Sequence, residues 1–442
     1  MLLLHIADIH FRSPDCLTPE LDPDRPYRTR LVQDVRTNVA ELGAVEAILI
    51  GGDIAFKGAP DEYVAAMTWI RELADAAQCP IERVFVVPGN HDVDRSLIQR
   101  SLSTRNAHAA ISSAPELRRE RVLREHIYDG DTAKALLAPL AAYNEFAKLL
   151  NCQVYLPERL YWKQDLELEG GVILRVHGLT SIILSGAEGR NDTRDSLYLS
   201  PLQTVLDPVD NVANLVLIHH PPDWLMDQDD ANDAICGRAV IHMFGHKHRQ
   251  RVVRDPQYIR FSAGAVNPDR YEHGWMPGYN LVDVSVAGAG PERMLKITAH
   301  LRQWQTGPDR FRPVISDLDE PFFSHTIRLP GAGSVASTTP TPERPHLVEP
   351  QAPEPVAKTE DSLARSADGE AAMGDAHTRN LVYRFWQLKS SERREIALQL
   401  GLITEDELRD PEPERYGRAL IRASERGKLD ELAHAIMQRE KH

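Results

Sequence analysis

Short apolar runs alternate with amphipathic stretches along the first quarter of the chain. Residues 2–6, 47–50 and 84–87 are mainly apolar and have the length of buried strands. Between the last two runs, residues 61–77 place apolar side chains at a helical spacing. Strands that alternate with helices in this way predict a sheet covered by helices, which is an α/β fold.

The middle of the chain continues this pattern after a helix-rich interruption. Residues 101–165 are charged and helical in pattern, and we interpret them as an insertion or cap. Further apolar runs predict strands at residues 172–176, 181–184, 215–218, 240–244 and 279–286. Together these elements predict one domain over residues 1–329.

The composition changes twice after residue 329. Residues 330–378 are rich in proline and acidic side chains and nearly lack aromatic residues, which predicts a disordered, extended linker. From residue 379 onwards helical stripes return, and Thr404 with Glu407 forms a capping-box pattern. The sequence therefore predicts a small all-α module over residues 379–442.

Polar side chains gather at the ends of five apolar runs. Strand ends in an open α/β sheet face the ligand crevice, so these side chains are expected to converge. The five clusters are Asp8 with His10, Asp53, Asn90 with His91 and Asp92, His219 with His220, and His246 with His248.

The residue types in these clusters suit a particular kind of metal site. Carboxylate, imidazole and amide oxygen together suit divalent transition metals, and the imidazoles favour manganese, iron, zinc or nickel over magnesium or calcium. Seven of these ten side chains are candidate ligands. Seven ligands are too many for one tetrahedral ion but suit a pair of ions that shares a carboxylate. We expect two divalent ions, with manganese favoured and iron, zinc or nickel as alternatives.

The sequence resembles the calcineurin-like metallophosphoesterases over roughly residues 1–290. It carries the motif series of that family in order, namely Asp8-x-His10, Gly52-Asp53 with Gly58, Gly89-Asn90-His91-Asp92, His219, and Gly245-His246-x-His248. The resemblance implies a four-layer α/β/β/α sandwich with a dinuclear metal site at the strand ends. It also implies an enzyme that hydrolyses phosphodiesters with metal-activated water.

The resemblance also implies a role for each matching residue, with Asp53 bridging the two ions. The ligands of the first ion would be Asp8, His10, Asp53 and His248. Those of the second ion would be Asp53, Asn90, His219 and His246. His91 would contact the phosphate and protonate the leaving group, with Asp92 orienting it. His220 would lie behind the ligands or face the substrate.

The family branch and the charge of the chain both bear on the substrate. The stretches "LIHHPP", "VVPGNHD" and "GGDIAFKG" resemble the cyclic-nucleotide phosphodiesterase branch, whereas the DNA-repair exonuclease branch carries His-Gln where this chain has His219-His220. The net charge of −14 does not favour a large nucleic-acid footprint. We therefore predict a small nucleotide diester, with a DNA or RNA nuclease of bacterial defence or repair as the alternative. Arg12 is expected to be an ordinary solvated arginine.

The predicted C-terminal module resembles the helical effector-associated, death-like adaptor domains of bacterial conflict systems. This resemblance covers about 60 residues and implies a protein partner or self-association through residues 379–442. A dimerisation module is an equal alternative. The four cysteines are scattered and no apolar run reaches membrane-spanning length, so we predict a cytoplasmic protein with no membrane contact.

Overall fold

The computed structural model describes residues 1–194, 196–267, 275–329 and 380–440. The chain divides into two compact units, with the boundary between Ala332 and Gly333. The linker predicted over residues 330–378 lies outside the described residues.

Thirteen strands are present in the described part of the first unit. They are β1 (Leu2–Ile6), β2 (Val45–Ile50), β3 (Val84–Val86), β4 (Trp162–Glu167), β5 (Ile173–Gly178), β6 (Val212–Ile218), β7 (Ile241–Phe244), β8 (Arg251–Arg254), β9 (Ile259–Ser262), β10 (Gly278–Ala287), β11 (Met294–Gln305), β12 (Arg310–Pro313) and β13 (Phe323–Arg328). The same unit contains the helices α1 (Arg25–Leu42), α2 (Pro60–Ala77), α3 (Arg95–Arg100), α4 (Leu102–Ser112), α5 (Glu116–Tyr128), α6 (Gly130–Leu137), α7 (Ala141–Lys148) and α8 (Gln228–Cys236).

The strands form two mixed sheets. In the first sheet the order is β12-β11-β10-β1-β2-β3, and β13 also pairs with β11. Strands β1, β2 and β3 are parallel, whereas β10 runs antiparallel to β1. In the second sheet the order is β4-β5-β6-β7-β9-β8, and β5, β6, β7 and β9 are parallel. Each sheet therefore combines a run of parallel strands, β1 to β3 in the first sheet and β5, β6, β7 and β9 in the second, with antiparallel neighbours.

Alternate side chains of β6 show how the layers pack. Leu215 and Leu217 join the core that contains the buried side chains of the first sheet. Val216 and Ile218, which point the other way along the strand, join a separate core with Ile235 of α8. Helices α1 and α2 pack together, and their buried side chains belong to the core of the first sheet. Two sheets flanked by helices confirm the four-layer α/β/β/α sandwich.

The parallel strands of the sheets explain where the polar clusters lie. The five clusters follow β1, β2, β3, β6 and β7, which all belong to the parallel runs of the two sheets. Parallel strands end at the same edge of a sheet, so the loops that carry the clusters emerge together.

Two segments of the first unit differ in detail from the sequence pattern. The predicted strand at residues 181–184 is wrong, because these residues form irregular backbone and a turn. Ile183 and Leu184 are buried because they pack against α4 and α5, where Ile111 and Leu123 lie in the same apolar cluster. Helices α4 to α7 fall within the predicted insertion over residues 101–165, and β4 occupies its last residues.

The second unit is a small helical bundle. Residues 380–387 form the described part of α9, which is followed by α10 (Ser390–Gln399), α11 (Glu412–Glu425) and α12 (Leu429–Arg439). The predicted stripes meet in one core that includes Phe385, Tyr416 and Ile436. The expected capping box is present, since Glu407 accepts a hydrogen bond from the backbone N–H of Thr404 at 2.9 Å. Across the described residues of both units, no helix has the length and hydrophobicity that crossing a membrane requires.

Candidate metal centre

The loops after the central strands adopt an unusual backbone conformation at the site. Among the described residues, ten residues other than glycine have positive φ, and five of them are predicted metal ligands. These five are Asp8 (55°), His10 (52°), Asp53 (52°), His246 (67°) and His248 (53°). Such conformations cost about 1–3 kcal/mol each and persist where the surrounding structure holds them, which is common at functional sites.

Glycines allow these loops to approach one another. A Cβ added to Gly89 would lie 2.2 Å from Oδ1 of Asp53, so no side chain fits there without a shift. Gly52 has φ of +92°, and a Cβ at this position would lie 2.7 Å from Nδ1 of His219. Neither glycine could therefore carry a side chain without a shift of its neighbours. In the structure they are in close contact with the side chains of the site.

The seven predicted ligands come together as two groups. The donor atoms of Asp8, His10 and His248 all lie within 4.8 Å of one another, and Nε2 of His248 is 3.3 Å from Oδ1 of Asp8. We call these three residues the first group.

The second group is centred on the amide oxygen of Asn90. Oδ1 of Asn90 lies 3.1 Å from Nε2 of His219 and 3.1 Å from Nδ1 of His246. Asn90 and His219 are both buried. We call Asn90, His219 and His246 the second group.

Asp53 lies between the two groups. Its Oδ2 atom is 3.3 Å from Nε2 of His10 in the first group and 3.3 Å from Nε2 of His219 in the second group. Its Oδ1 atom accepts a hydrogen bond from the backbone N–H of His91 at 2.7 Å. The carboxylate is therefore fixed in a position from which it can contact an ion in each group.

Backbone carbonyl groups fix the orientation of two histidine rings. Nδ1 of His10 lies 2.9 Å from the carbonyl oxygen of Asn267, and Nδ1 of His219 lies 2.7 Å from that of Gly51. A ring that donates its Nδ1–H to a carbonyl group presents the lone pair of Nε2, which is the form that binds a metal. In both rings Nε2 points to Asp53.

The titration of the site favours ionised carboxylates. Burial alone would raise the pKa of Asp53, but the charges of His219 and His91 and hydrogen bonds from His10 and His219 hold that pKa well below its ordinary value. Burial would likewise lower the pKa of His219, but Asp53 and Asp8 raise it to about 9. The pKa of Asp8 is also lowered, since His248 and His219 outweigh the effect of burial. The carboxylates of Asp8 and Asp53 are therefore ionised and can neutralise the charge of bound cations.

His220 lies closer to the second group than its sequence position alone predicted. Its Nε2 atom lies 3.1 Å from Oδ1 of Asn90, and its donor atoms lie within 4.8 Å of those of His219 and His246. The hydroxyl group of Ser181 lies 2.8 Å from Nδ1 of His220. Burial and the neighbouring histidines keep the pKa of His220 well below its ordinary value. In the sequence, the pair His219-His220 indicated that His220 lies near the metal centre. Its contact with Ser181 could not be predicted, because the two residues are far apart in sequence.

His91 and Asp92 are held by different parts of the structure. Nδ1 of His91 lies 2.9 Å from the carbonyl oxygen of Phe56, and the two rings stack with centroids 5.0 Å apart. The carboxylate of Asp92 instead accepts hydrogen bonds from the backbone N–H groups of Ala55 and Gly89 and from the hydroxyl group of Tyr63, at 2.9–3.0 Å. Asp92 thus joins the loops after β2 and β3, because its oxygens accept from donors on both loops.

A cavity of about 830 Å³ opens above the two groups. His91 and His246 lie in its wall, together with Trp224, whose ring centroid is 3.9 Å from that of His246. Arg12 also lines the cavity, with its guanidinium group 3.8 Å from the ring centroid of Phe56. Arg12 is therefore half-buried against an aromatic ring beside the site and is not the freely solvated side chain that the sequence suggested.

Comparison with known families agrees with this arrangement. Residues 1–250 match the family model of the calcineurin-like phosphoesterases, and residues 377–438 match the GTPase-associated adaptor domain. Both resemblances noted in the sequence are thereby confirmed at the level of the family. No curated protein matches the chain.

Several solved structures are similar to the chain at low identity. Vps29 from Chaetomium thermophilum is 12% identical, with 74% of this chain and 99% of that chain covered and a TM-score of 0.30. A predicted phosphoesterase from Streptococcus pneumoniae is 14% identical, with 73% and 97% covered and a TM-score of 0.28. A putative 5'-nucleotidase from Staphylococcus aureus is 14% identical, with 65% and 51% covered and a TM-score of 0.34.

Proposed function

The chain belongs to the calcineurin-like phosphoesterase family, whose members are hydrolases of phosphoester bonds, and on this premise we propose that it is a dinuclear metal-dependent phosphodiesterase. Its proposed substrate is a small nucleotide diester. The observation that carries the proposal is the position of Asp53, whose Oδ2 atom lies 3.3 Å from an imidazole of each ligand group. A carboxylate placed in this way suits two ions that share it.

The donor set fits divalent transition metals. In the proposal the first group and the second group each hold one ion, with Asp53 shared between them. Buried imidazoles and ionised carboxylates are the ligands that manganese, iron and zinc take in proteins, and we propose manganese as the working metal. When bound, such a pair activates a water molecule and neutralises charge on the phosphoryl oxygens.

His91 is proposed to supply the proton for the leaving group. In the hydrolysis, the oxygen of water forms a new bond to phosphorus, the ester P–O bond breaks, and the departing alkoxide takes a proton. With Nδ1 held at the carbonyl group of Phe56, Nε2 of His91 is the ring atom left to donate. Burial lowers the pKa of His91 to about 4, and the negative charge of a bound diester would raise that pKa again. Asp92 is proposed to support this role by fixing the loop that carries His91.

The C-terminal unit is proposed to recruit a protein partner. Its match to the GTPase-associated adaptor domain supports this role and makes a GTPase the first partner to test. The alternative is that the same unit binds a second copy of the chain. A cytoplasmic location is part of the proposal as well, since the four cysteines are free.

A substrate panel tests the proposed reaction. The full chain with added Mn²⁺ is offered bis-p-nitrophenyl phosphate, p-nitrophenyl phosphate, cyclic nucleotides, and single- and double-stranded DNA and RNA. We expect diesters to be hydrolysed faster than monoesters and small nucleotide diesters faster than duplex DNA. Robust cleavage of linear duplex DNA at physiological salt would instead favour the nuclease, and hydrolysis of monoesters alone would contradict the diesterase.

A further inference from the structure

We infer that the cavity above the metal centre binds a nucleotide that carries a second anionic group, such as a 5′ phosphate, in addition to the scissile diester. The inference rests on the proposed function, because it names the substrate class of the same site. It is carried by three cationic side chains and by their position relative to His91.

Three cationic side chains line the cavity. They are Arg12, Lys57 and Arg95. Within the residues that the structure describes, none of the three forms an ion pair: the guanidinium group of Arg12 lies on the ring of Phe56, and Arg95 donates to the amide oxygen of Asn191 at 2.5 Å. In a chain with net charge −14, three such cations around one cavity make that cavity locally attractive to anions.

The carboxylates in the same wall are occupied by their own loops. Asp94 accepts hydrogen bonds from the backbone N–H of Leu97 at 3.1 Å and from the hydroxyl group of Ser96 at 2.6 Å, as the cap of α3. Asp192 accepts from the backbone N–H of Gly186 at 2.8 Å and from the hydroxyl group of Ser185 at 2.5 Å. Burial raises the pKa of Asp192, and Arg95 lies close enough to oppose that rise. Because the oxygens of both carboxylates point at their own loops, the N–H donors of the cations remain available to a ligand.

The cationic and aromatic parts of the wall lie beside different ligand groups. Arg12 contacts Phe56, which stacks on His91, and the ring of His91 lies 4.8 Å from that of His10 in the first group. Trp224 contacts His246 in the second group. A nucleotide therefore meets positive charge on the side of His91, where the leaving group departs, and an aromatic surface on the other side.

The charge on the leaving side determines which substrate fits. When the P–O3′ bond of a dinucleotide breaks, the leaving group is the nucleoside at the 5′ end. This nucleoside can also carry a 5′ phosphate. Arginine binds phosphate through a planar pair of N–H donors, so Arg12 and Arg95 suit this second phosphate better than a neutral hydroxyl group. The structure thus favours 5′-phosphorylated dinucleotides over dinucleotides that end in a 5′ hydroxyl group.

The test compares ApA with pApA, which differ by the 5′ phosphate alone, on the Mn²⁺-loaded full chain. We expect kcat/KM for pApA to exceed that for ApA by about tenfold or more, because hydrogen bonds to a charged group are worth at least that factor. Arg12→Ala and Arg95→Ala are each expected to lower this ratio several-fold. Arg30→Ala, which changes an exposed arginine on α1 outside the cavity, is expected to leave the ratio unchanged.

Bis-p-nitrophenyl phosphate separates this inference from the proposed function. If that diester is hydrolysed while ApA and pApA have equal kcat/KM values, the inference is wrong and the phosphodiesterase stands. If no diester is hydrolysed, the proposed function fails, and equilibrium binding of the phosphorothioate-linked forms of both dinucleotides decides the inference. Tighter binding of the 5′-phosphorylated form, weakened by Arg12→Ala, would support it, and equal Kd values would overturn it.

Discussion

At the scale of single residues, His91 lies beside His10 and Asp53, but its ring is held from another loop. Its ring is fixed by the carbonyl group and the ring of Phe56, which belong to the neighbouring loop. Removing the imidazole therefore leaves the two ligand groups in place. A residue held in this way can act on the substrate without holding an ion.

His91→Ala is expected to keep bound metal and to lose rate most on poor leaving groups. Removing a general acid costs about 10²–10⁴-fold, and the loss falls on alkoxides because p-nitrophenolate leaves without a proton. The measurement is kcat for a p-nitrophenyl diester and for an alkyl diester, with metal content by mass spectrometry and His126→Ala on α5 as the control. Equal losses for both leaving groups would show that His91 is not the acid.

Asp227 gives a prediction for the pH dependence of stability. Burial raises the pKa of this carboxyl group from 3.8 to about 7, against hydrogen bonds that lower it. The folded chain therefore binds more protons than the unfolded chain between these values, so stability falls as pH rises through this range. In Asp227→Asn the side chain at this position is neutral at every pH. The melting temperature of this variant minus that of the wild type should therefore increase from about pH 4 to about pH 7 and then level off.

Thermal unfolding followed by circular dichroism across pH 4–9 measures this difference. Asp131→Asn is the matched control, because the side chain of Asp131 is fully exposed on α6. A gap between Asp227→Asn and the wild type that stays constant with pH would contradict the prediction.

The convergence of the polar side chains could be predicted because they follow apolar strands directly. The contacts that orient them could not, since Phe56, Ser181 and Asn267 reach the site from loops without a recognisable motif. Arg12 was misjudged for the same reason. Its partner is the ring of Phe56, 44 positions away, and no periodicity in sequence records that contact.

At the scale of elements, the start of α2 is tied to the loop that carries Phe56. Glu62 is fully buried, and its Oε2 atom accepts hydrogen bonds from the backbone N–H groups of Phe56 (3.2 Å), Lys57 (2.9 Å) and Ala59 (3.1 Å). Its Oε1 atom accepts from the backbone N–H of Ser13 at 3.2 Å. One side chain thus fixes the loop beside His91.

Glu62→Ala is expected to lower the free energy of unfolding by roughly 3 kcal/mol, because several backbone N–H groups would lose their acceptor. Chemical denaturation measures this change, and Glu72→Ala, at an exposed position of the same helix, is the control. If both variants lost the same stability, the buried carboxylate would not hold the loop.

The predictability of an element depended on how much of it is buried. Strands β1, β2, β3, β6 and β7 were found because almost all of their residues are buried, which makes them continuous apolar runs. The interior strands β9 and β11 were missed, since buried and partly exposed residues mix along them. The edge strands β4 and β8 were missed, since "WKQDLE" is mostly polar, and "RVVR" is half polar and largely exposed. Residues 181–184 were mistaken for a strand because burial against helices gives the same apolar signal as burial in a sheet.

At the scale of the whole molecule, each compact unit has its own apolar core. Composition predicted the existence of two ordered parts, because the sequence between them lacks the aromatic side chains that a core needs. The partner of the second unit could not be predicted, since the residues of a docking surface carry no periodic signal.

A chain truncated at Pro330 is expected to keep its kcat on bis-p-nitrophenyl phosphate, because every candidate ligand lies in the first unit. It is expected to lose a bound partner or an assembled state, since tethering acts by raising the effective concentration. Turnover and mass in solution are compared for the two forms. Loss of turnover at unchanged mass per chain and metal content would place the second unit in the catalytic machinery.

The bridged metal pair at Asp53 is most directly tested by electron paramagnetic resonance of the manganese-loaded full chain. The wild type should bind two ions per chain and show the spectrum of an exchange-coupled pair. Asp53→Asn should lose the coupled spectrum, part of the metal and the diesterase activity, whereas Asp131→Asn should retain all three. A wild-type spectrum of isolated manganese, or a coupled pair that survives in Asp53→Asn, would contradict the bridged site.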